Sequence, residues 1–272
     1  MLPTLLQLGP IRIASFSVFM LLAFLVSTFI VWRLSKREYL DEEKTMDIYL
    51  LSVIWGMIGA RLSYVLLYPD KFGFNLFRMV LPTWMPGFYI YGGVIAGILG
   101  VIVLSRKKEA KYTKYLDTFA PAFILAVGLY KIGQFLDGSL IGTSTNIPYL
   151  GLPVAGQAGY FIPLALFQAV AYFITFYLVN RWSRYFLITH KYTGGVFLSA
   201  LVVAGGIETI SYFFTRDKLF ILMVPLSLAI TLSAFIFSSI LLYKQTRSFA
   251  KDRQTLLAKF VRITGKKSTK AS

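Results

Sequence analysis

Three long apolar stretches of this 272-residue chain each hold a single ionisable side chain: Arg61 within residues 48–69, Lys131 within 118–136 and Glu208 within 192–215. A charge surrounded by hydrocarbon is expensive and marks a site by default. Helical spacing gives each a polar neighbour on its own face. Arg61, Tyr64 and Tyr68 stand at i, i+3 and i+7, and Lys131 precedes Gln134 by three. Glu208 precedes Tyr212 by four, and Tyr91 adjoins Gly92-Gly93 one turn from the end of another apolar stretch. An Arg and a Lys at headgroup depth suit a phosphate, the first as a bidentate fork and the second as a point charge. Two cations against one anion leave positive charge over for such a ligand. The structural alternative is that Lys131 neutralises Glu208 as an ion pair while Arg61 snorkels to the interface.

Other chemistries find little support. There is no cysteine, which removes disulfides, thiol nucleophiles and Cys-based metal sites, and no metal or cofactor is expected. The single His190 lies beside Lys191 in a basic loop and reads as a solvated residue, not a catalyst.

The elements that must hold these residues are membrane spans. Hydrophobic residues make up 57% of the chain and charged ones 15%, with a mean hydropathy of +0.67. Soluble domains carry about 25% charged residues. A soluble globular domain, a disordered chain and a coiled coil are excluded, and an all-α polytopic membrane protein remains. A span needs about 20 apolar residues. Seven segments qualify: 13–32, 48–69, 87–105, 118–136, 159–180, 192–215 and 219–243. The first is too long for a signal-peptide core and reads as retained.

The net charge of +16 is read by position, and nucleic acid is not the expected partner. The loops on one side carry 21 Lys and Arg and those on the other side five. The positive-inside rule then puts the N-terminus outside and the C-terminus in the cytoplasm. At about 1.5 Å per residue, Arg61, Lys131 and Glu208 all fall in the outer third of the membrane. The outer loop near 137–159 has no charge after Asp137 and can dip into the interface. The Gly-Gly pairs at 92–93, 194–195 and 205–206 point to close helix packing. The organisation expected is one seven-helix domain over 8–243 and a basic cytoplasmic tail over 244–272. Phe249, Leu256, Leu257, Phe260 and Ile263 give that tail the spacing of an interfacial helix.

Gly59-Ala60-Arg61-Leu62-Ser63-Tyr64-Val65 is similar to the second-span motif of the prolipoprotein diacylglyceryl transferase family. Leu8-Gly9-Pro10-Ile11, Tyr91-Gly92-Gly93-Val94-Ile95-Ala96-Gly97 and Asp117-Thr118-Phe119-Ala120-Pro121 fall where the family has like stretches. Lys131-Ile132-Gly133-Gln134-Phe135-Leu136-Asp137-Gly138 is similar to the signature Gly-Arg-Ile-Gly-Asn-Phe-Ile-Asn-Gly-Glu.

The resemblance implies a multi-pass protein of the bacterial cytoplasmic membrane. It implies transfer of a diacylglyceryl group from phosphatidylglycerol to the lipobox cysteine of a prolipoprotein, with release of glycerol phosphate. The partners would be phosphatidylglycerol, or another anionic phospholipid, and a prolipoprotein signal segment. Tyr91 and Lys131 become the catalytic candidates, and Arg61, Tyr64, Lys131, Gln134, Asp137 and Glu208 the substrate-binding ones. The polar set departs from the family's. Tyr91 stands for a His, Lys131 for the signature Arg, Gln134 and Asp137 for two Asn, and Ser139 for a Glu. Glu208 and Tyr212 take the places of a later Arg and Glu, and Phe161-Ile162-Pro163 those of Arg-His-Pro. A phenol, with an ordinary pKa of about 10, serves as a base only beside a cation, and Lys131 and Arg61 are the cations available. The alternative expectation is a catalytically lost homologue that still binds phospholipid or lipoprotein precursor. A small transporter comes third.

Overall fold

The computed structural model describes residues 4–8, 11–72, 79, 87–106, 110–145, 147, 149, 151–153, 159–187, 193–216, 220–221 and 224–246. His190 and nearly all of the basic tail lie outside the described residues. Among the described residues eight helices carry the fold. They are α1 (Ser15–Arg37), α2 (Glu42–Leu67), the single turn α3 (Pro69–Phe72), α4 (Ile90–Ser105), α5 (Tyr112–Asp137), α6 (Leu164–Leu187), α7 (Gly195–Phe214) and α8 (Leu226–Thr246). Short strands occupy their ends. β1 (Thr4–Leu8) pairs with β2 (Ile11–Ala14) ahead of α1. β3 (Ser144–Thr145), β4 (Leu152–Pro153) and β5 (Tyr160–Phe161) form a three-stranded antiparallel sheet between α5 and α6. β6 (Phe220–Ile221) and β7 (Val224–Pro225) pair ahead of α8.

Six of these helices are long and apolar enough to cross a membrane. The seventh expected span, over 87–105, is the 16-residue α4, shorter than the sequence implied because Gly87, Phe88 and Tyr89 stay outside the helix. The last helix begins at Leu226, since the strand pair takes up 220–221 and 224–225. Exposed apolar side chains such as Leu21, Leu25, Leu62, Ile174 and Ile210 cover the outward faces, which suits hydrocarbon as the solvent.

Helix α5 is the centre of the bundle. Its Tyr115, Leu116, Phe119 and Ala122 join Val31, Ile48, Tyr49 and Val101 in one buried cluster. Its Ala120, Ile124 and Val127 join Tyr172, Val179, Val196 and Ala200 in another. Helices α2 and α4 meet through small residues. A Cβ on Gly59 would overlap Ala96, one on Gly93 would come 3.0 Å from the Ala60 Cβ, and one on Gly92 would strike Ser63. In a lipid solvent such close backbone approach drives association by van der Waals contact. Gly205 on α7 presses likewise on Phe235 of α8.

Helix ends are fixed by identifiable contacts. Gly138 closes α5 in the left-handed conformation, φ 75°, and its amide donates to the Gln134 carbonyl. The start of α7 is capped from another helix: Asp117 Oδ2 accepts from the Gly194 amide and Oδ1 from the Phe197 amide at 2.8 Å. Both orphan donors thereby find a carboxylate. Next to it, Thr118 Oγ1 donates to Glu38 Oε2 at 2.6 Å. Burial raises the Glu38 carboxyl above the usual carboxylate range, with that hydrogen bond opposing the rise.

Candidate functional site

Helices α2 and α5 run in the same direction, with the Tyr49 and Phe119 rings 5.5 Å apart edge to face. Arg61 and Lys131 each lie twelve residues further on, about 18 Å at the helical rise, so they share a level. Arg61, Lys131 and Glu208 are each six residues from the end of their helices, at Leu67, Asp137 and Phe214. Three helices thus hold their charge about 9 Å below the end of the bundle. That end also carries the β3–β4–β5 sheet. The Gly142–Thr215 bridge and the bond from the Thr143 amide to the Phe214 carbonyl tie the ends of α5 and α7 together there.

Two of the three charges meet. Lys131 Nζ lies 3.0 Å from Glu208 Oε1, with the lysine side chain 8% exposed and the glutamate 18%. Tyr172 OH donates to the same oxygen at 2.9 Å, and Gln168 Nε2 donates to Oε2 at 3.3 Å. Helices α5, α6 and α7 therefore converge on one carboxylate. Gln168 and Tyr172 are 3% and 2% exposed. A buried ion pair is tolerable only when further hydrogen bonds satisfy it, and these two side chains supply them to the anion. Tyr91 and Tyr130 are close enough to feel the Glu208 charge, and the Tyr130 ring packs edge-on against Phe16.

Arg61 has a different setting. Its Nε donates to the Met79 carbonyl at 2.8 Å and an NH1 donates to the Gly87 carbonyl at 3.0 Å, with the guanidinium over the Phe72 ring. It is 7% exposed and ties the segment ahead of α4 to α2. Tyr64, one turn on, packs against Tyr68 and Phe72, and a Cβ on Gly87 would collide with its ring. Tyr91 lies in the first turn of α4 against Tyr89. Gln134 is one turn beyond Lys131, and its Oε1 is buried with no partner among the described residues. Asp137 is exposed at the last turn of α5.

The sequence-derived set thus divides. Lys131 and Glu208 come together, and Tyr91 is within electrostatic reach of Glu208. Arg61 and Tyr64 build the neighbouring α2–α4 corner, and Asp137 faces outward. Sequence reasoning missed Gln168 and Tyr172, since they sit in an uncharged span. Their only signal was a spacing of four that puts an amide and a phenol on one helical face. Asp117 was seen only as part of a motif, although it caps α7. Among the described residues no group of three or more His, Cys, Asp or Glu could hold a metal ion.

A bundle of apolar helices, six of them long and apolar enough to cross a membrane, with a hydrogen-bonded charge cluster buried within it, defines a polytopic membrane protein. The family model for prolipoprotein diacylglyceryl transferase matches residues 3–244, and the chain belongs to that family. A phosphatidylglycerol–prolipoprotein diacylglyceryl transferase from Finegoldia magna is 25% identical over 242 residues, 89% of this chain and 95% of the relative. One from Tropheryma whipplei is 28% identical over 210 residues, 73% and 75% of the two chains. One from Fusobacterium nucleatum is 29% identical over 147 residues, 54% and 51%.

Proposed function

We propose that this chain is a divergent diacylglyceryl transferase working at the outer face of the bacterial cytoplasmic membrane. It takes phosphatidylglycerol and transfers the diacylglyceryl group to the thiol of a lipobox cysteine in a prolipoprotein. The supporting observation is the buried cluster of Lys131, Glu208, Gln168 and Tyr172 about two turns below the sheet end. In this reading seven helices span, the sheet end faces out, and residues 244–272 lie against the inner leaflet as a basic tail.

The thiolate sulfur attacks the glyceryl carbon that bears the phosphate ester. A carbon–sulfur bond forms, the carbon–oxygen bond breaks, and glycerol phosphate leaves with the electron pair. The thiol proton ends on the departing phosphate oxygen, and Tyr91 is the candidate relay: its hydroxyl takes the thiol proton as it gives its own to that oxygen. Lys131 faces the departing phosphate as a point charge. Arg61 and Tyr64 hold the entry corner, and Asp137 stands at the rim.

The Lys131–Glu208 pair also favours a second reading, in which a homologue binds phospholipid or prolipoprotein without turnover. A lysine already neutralised by a carboxylate stabilises a leaving phosphate less than a free cation would. Incubating purified protein in phosphatidylglycerol bilayers with a lipobox peptide separates the two readings by mass spectrometry. Diacylglyceryl-peptide is expected, roughly a hundredfold more slowly than from the Finegoldia magna relative, the scale of losing one transition-state donor. Retained phosphatidylglycerol with no product would establish the second reading instead.

A further inference from the structure

Glu38 closes α1 at the end of the bundle away from the Lys131–Glu208 pair, and it is 7% exposed although the next residue, Tyr39, is 95% exposed. Tyr39 takes the left-handed conformation, φ 52°, so the chain reverses there while the Glu38 carboxyl faces inward. Inside, Thr118 Oγ1 lies 2.6 Å from Glu38 Oε2 and 2.9 Å from the Lys114 carbonyl oxygen. A hydroxyl carries one proton and a carbonyl none. Thr118 can therefore serve only one of these two acceptors at a time. Both contacts are hydrogen bonds together when the carboxyl brings the second proton, so that Glu38 donates to Thr118 and Thr118 donates to Lys114. With Glu38 ionised, the Thr118 proton turns to the carboxylate and the Lys114 carbonyl loses it.

The surroundings weight that choice. Burial favours the neutral acid and raises the carboxyl above its ordinary range, against the smaller pull of Arg37 on α1 and Lys114 on α5 toward the anion. The first acids of α2 are engaged elsewhere, Asp41 with Lys44 and Glu42 with Lys36. Asp117, next to Thr118 on α5, is within reach of the Glu38 charge. Its two oxygens hold the Gly194 and Phe197 amides at the start of α7. Consecutive residues of α5 thus grip the α1–α2 turn and the start of α7. An ionised Glu38 sets a second negative charge beside Asp117, and like charges in a dry setting repel.

We propose that Glu38 is a proton-binding switch: as the neutral acid it donates to Thr118 and latches the α1–α2 turn to the junction of α5 and α7, and loss of its proton reverses the Thr118 hydrogen bond and loosens that junction. The switch sits at the far end from the charge cluster and does not depend on the transferase reading.

Infrared difference spectra of the full-length protein in phosphatidylglycerol bilayers, titrated upward from about pH 4, read the acid directly. A hydrogen-bonded acid C=O band should persist in wild type above the ordinary glutamate value of about 4.3 and be missing from Glu38→Gln. Hydrogen exchange by mass spectrometry then reads the junction. With the intrinsic pH dependence of exchange divided out, peptides covering the start of α7 should exchange roughly tenfold faster as that band disappears, the scale of one pKa unit of coupling. Glu38→Gln should hold the slow rate throughout. Should that variant fail to fold, Thr118→Val takes its place: it removes the hydroxyl and should move the band to the higher frequency of an unbonded acid. Three results overturn the proposal: a wild-type spectrum with no Glu38 acid band above the ordinary value, a band that Thr118→Val leaves in place, or α7 exchange that rises equally in Glu38→Gln.

Discussion

Lys131 or Glu208 alone would be an uncompensated charge in hydrocarbon; together, with Tyr172 and Gln168 donating to the carboxylate, they form a neutral unit. Lys131→Met is expected to cost about 3–5 kcal/mol, because it strands Glu208. Lys131→Met combined with Glu208→Leu should recover most of that loss, and thermal unfolding of both variants in one detergent measures it. At the opposite end of the bundle, the Glu38 carboxyl titrates above its ordinary range because it is buried. A carboxyl raised in the folded state adds stability at low pH, and that contribution is lost as pH rises from the unfolded pKa through the folded one. Glu38→Gln, which keeps an acceptor for Thr118, should therefore raise the melting temperature at pH 8. The gain should vanish near about pH 3, more than a unit below the ordinary glutamate value, where the carboxyl is protonated in both states. The lone charges were legible from sequence because charge in an apolar run stands out. What they touch was less so: Arg61 meets backbone carbonyls at Met79 and Gly87, which no side-chain pattern encodes.

At the level of elements, glycine spacing carried real information. The motif around Gly59 and the Gly92-Gly93 pair turn out to be the two sides of one helix contact. Gly59→Leu would drive a side chain into Ala96 and should destabilise by about 1–3 kcal/mol or dislodge α4. Gly97→Ala, whose Cβ would sit 3.6 Å from the nearest atom, should be tolerated. Melting temperatures of the two variants give the comparison. Asp117→Ala removes two charge-assisted hydrogen bonds from the start of α7 and should cost about 3 kcal/mol. Asp117→Asn, which keeps one acceptor, should cost less in the same assay. The short strands were not legible in the sequence. Pairs of two residues carry no periodicity, and their register is set by the helix ends they join.

For the whole molecule, hydropathy marked out the six helices long and apolar enough to cross a membrane, and loop charge gave an orientation that the bundle alone does not test. Reporter fusions after Ser105 and after Thr145 should read cytoplasmic and external, respectively. The reverse pattern at both sites would turn the bundle over and put the charge cluster at the inner leaflet. Within their lengths helices α5 and α7 are fastened at two points, by Asp117 near one end and by the Lys131–Glu208 pair fourteen residues further along α5, besides the tie between their far ends. A beam pinned at two points can neither slide nor swing. The α2–α4 pair, zipped along its glycines, is a second stiff panel, and Arg61 staples its free edge to the incoming chain. In the proposed transferase, a two-tailed lipid would pass at the seam between the panels, where α4 lies alongside α5. A covalent clamp across that seam should jam the machine, whereas one between α5 and α7 should change nothing.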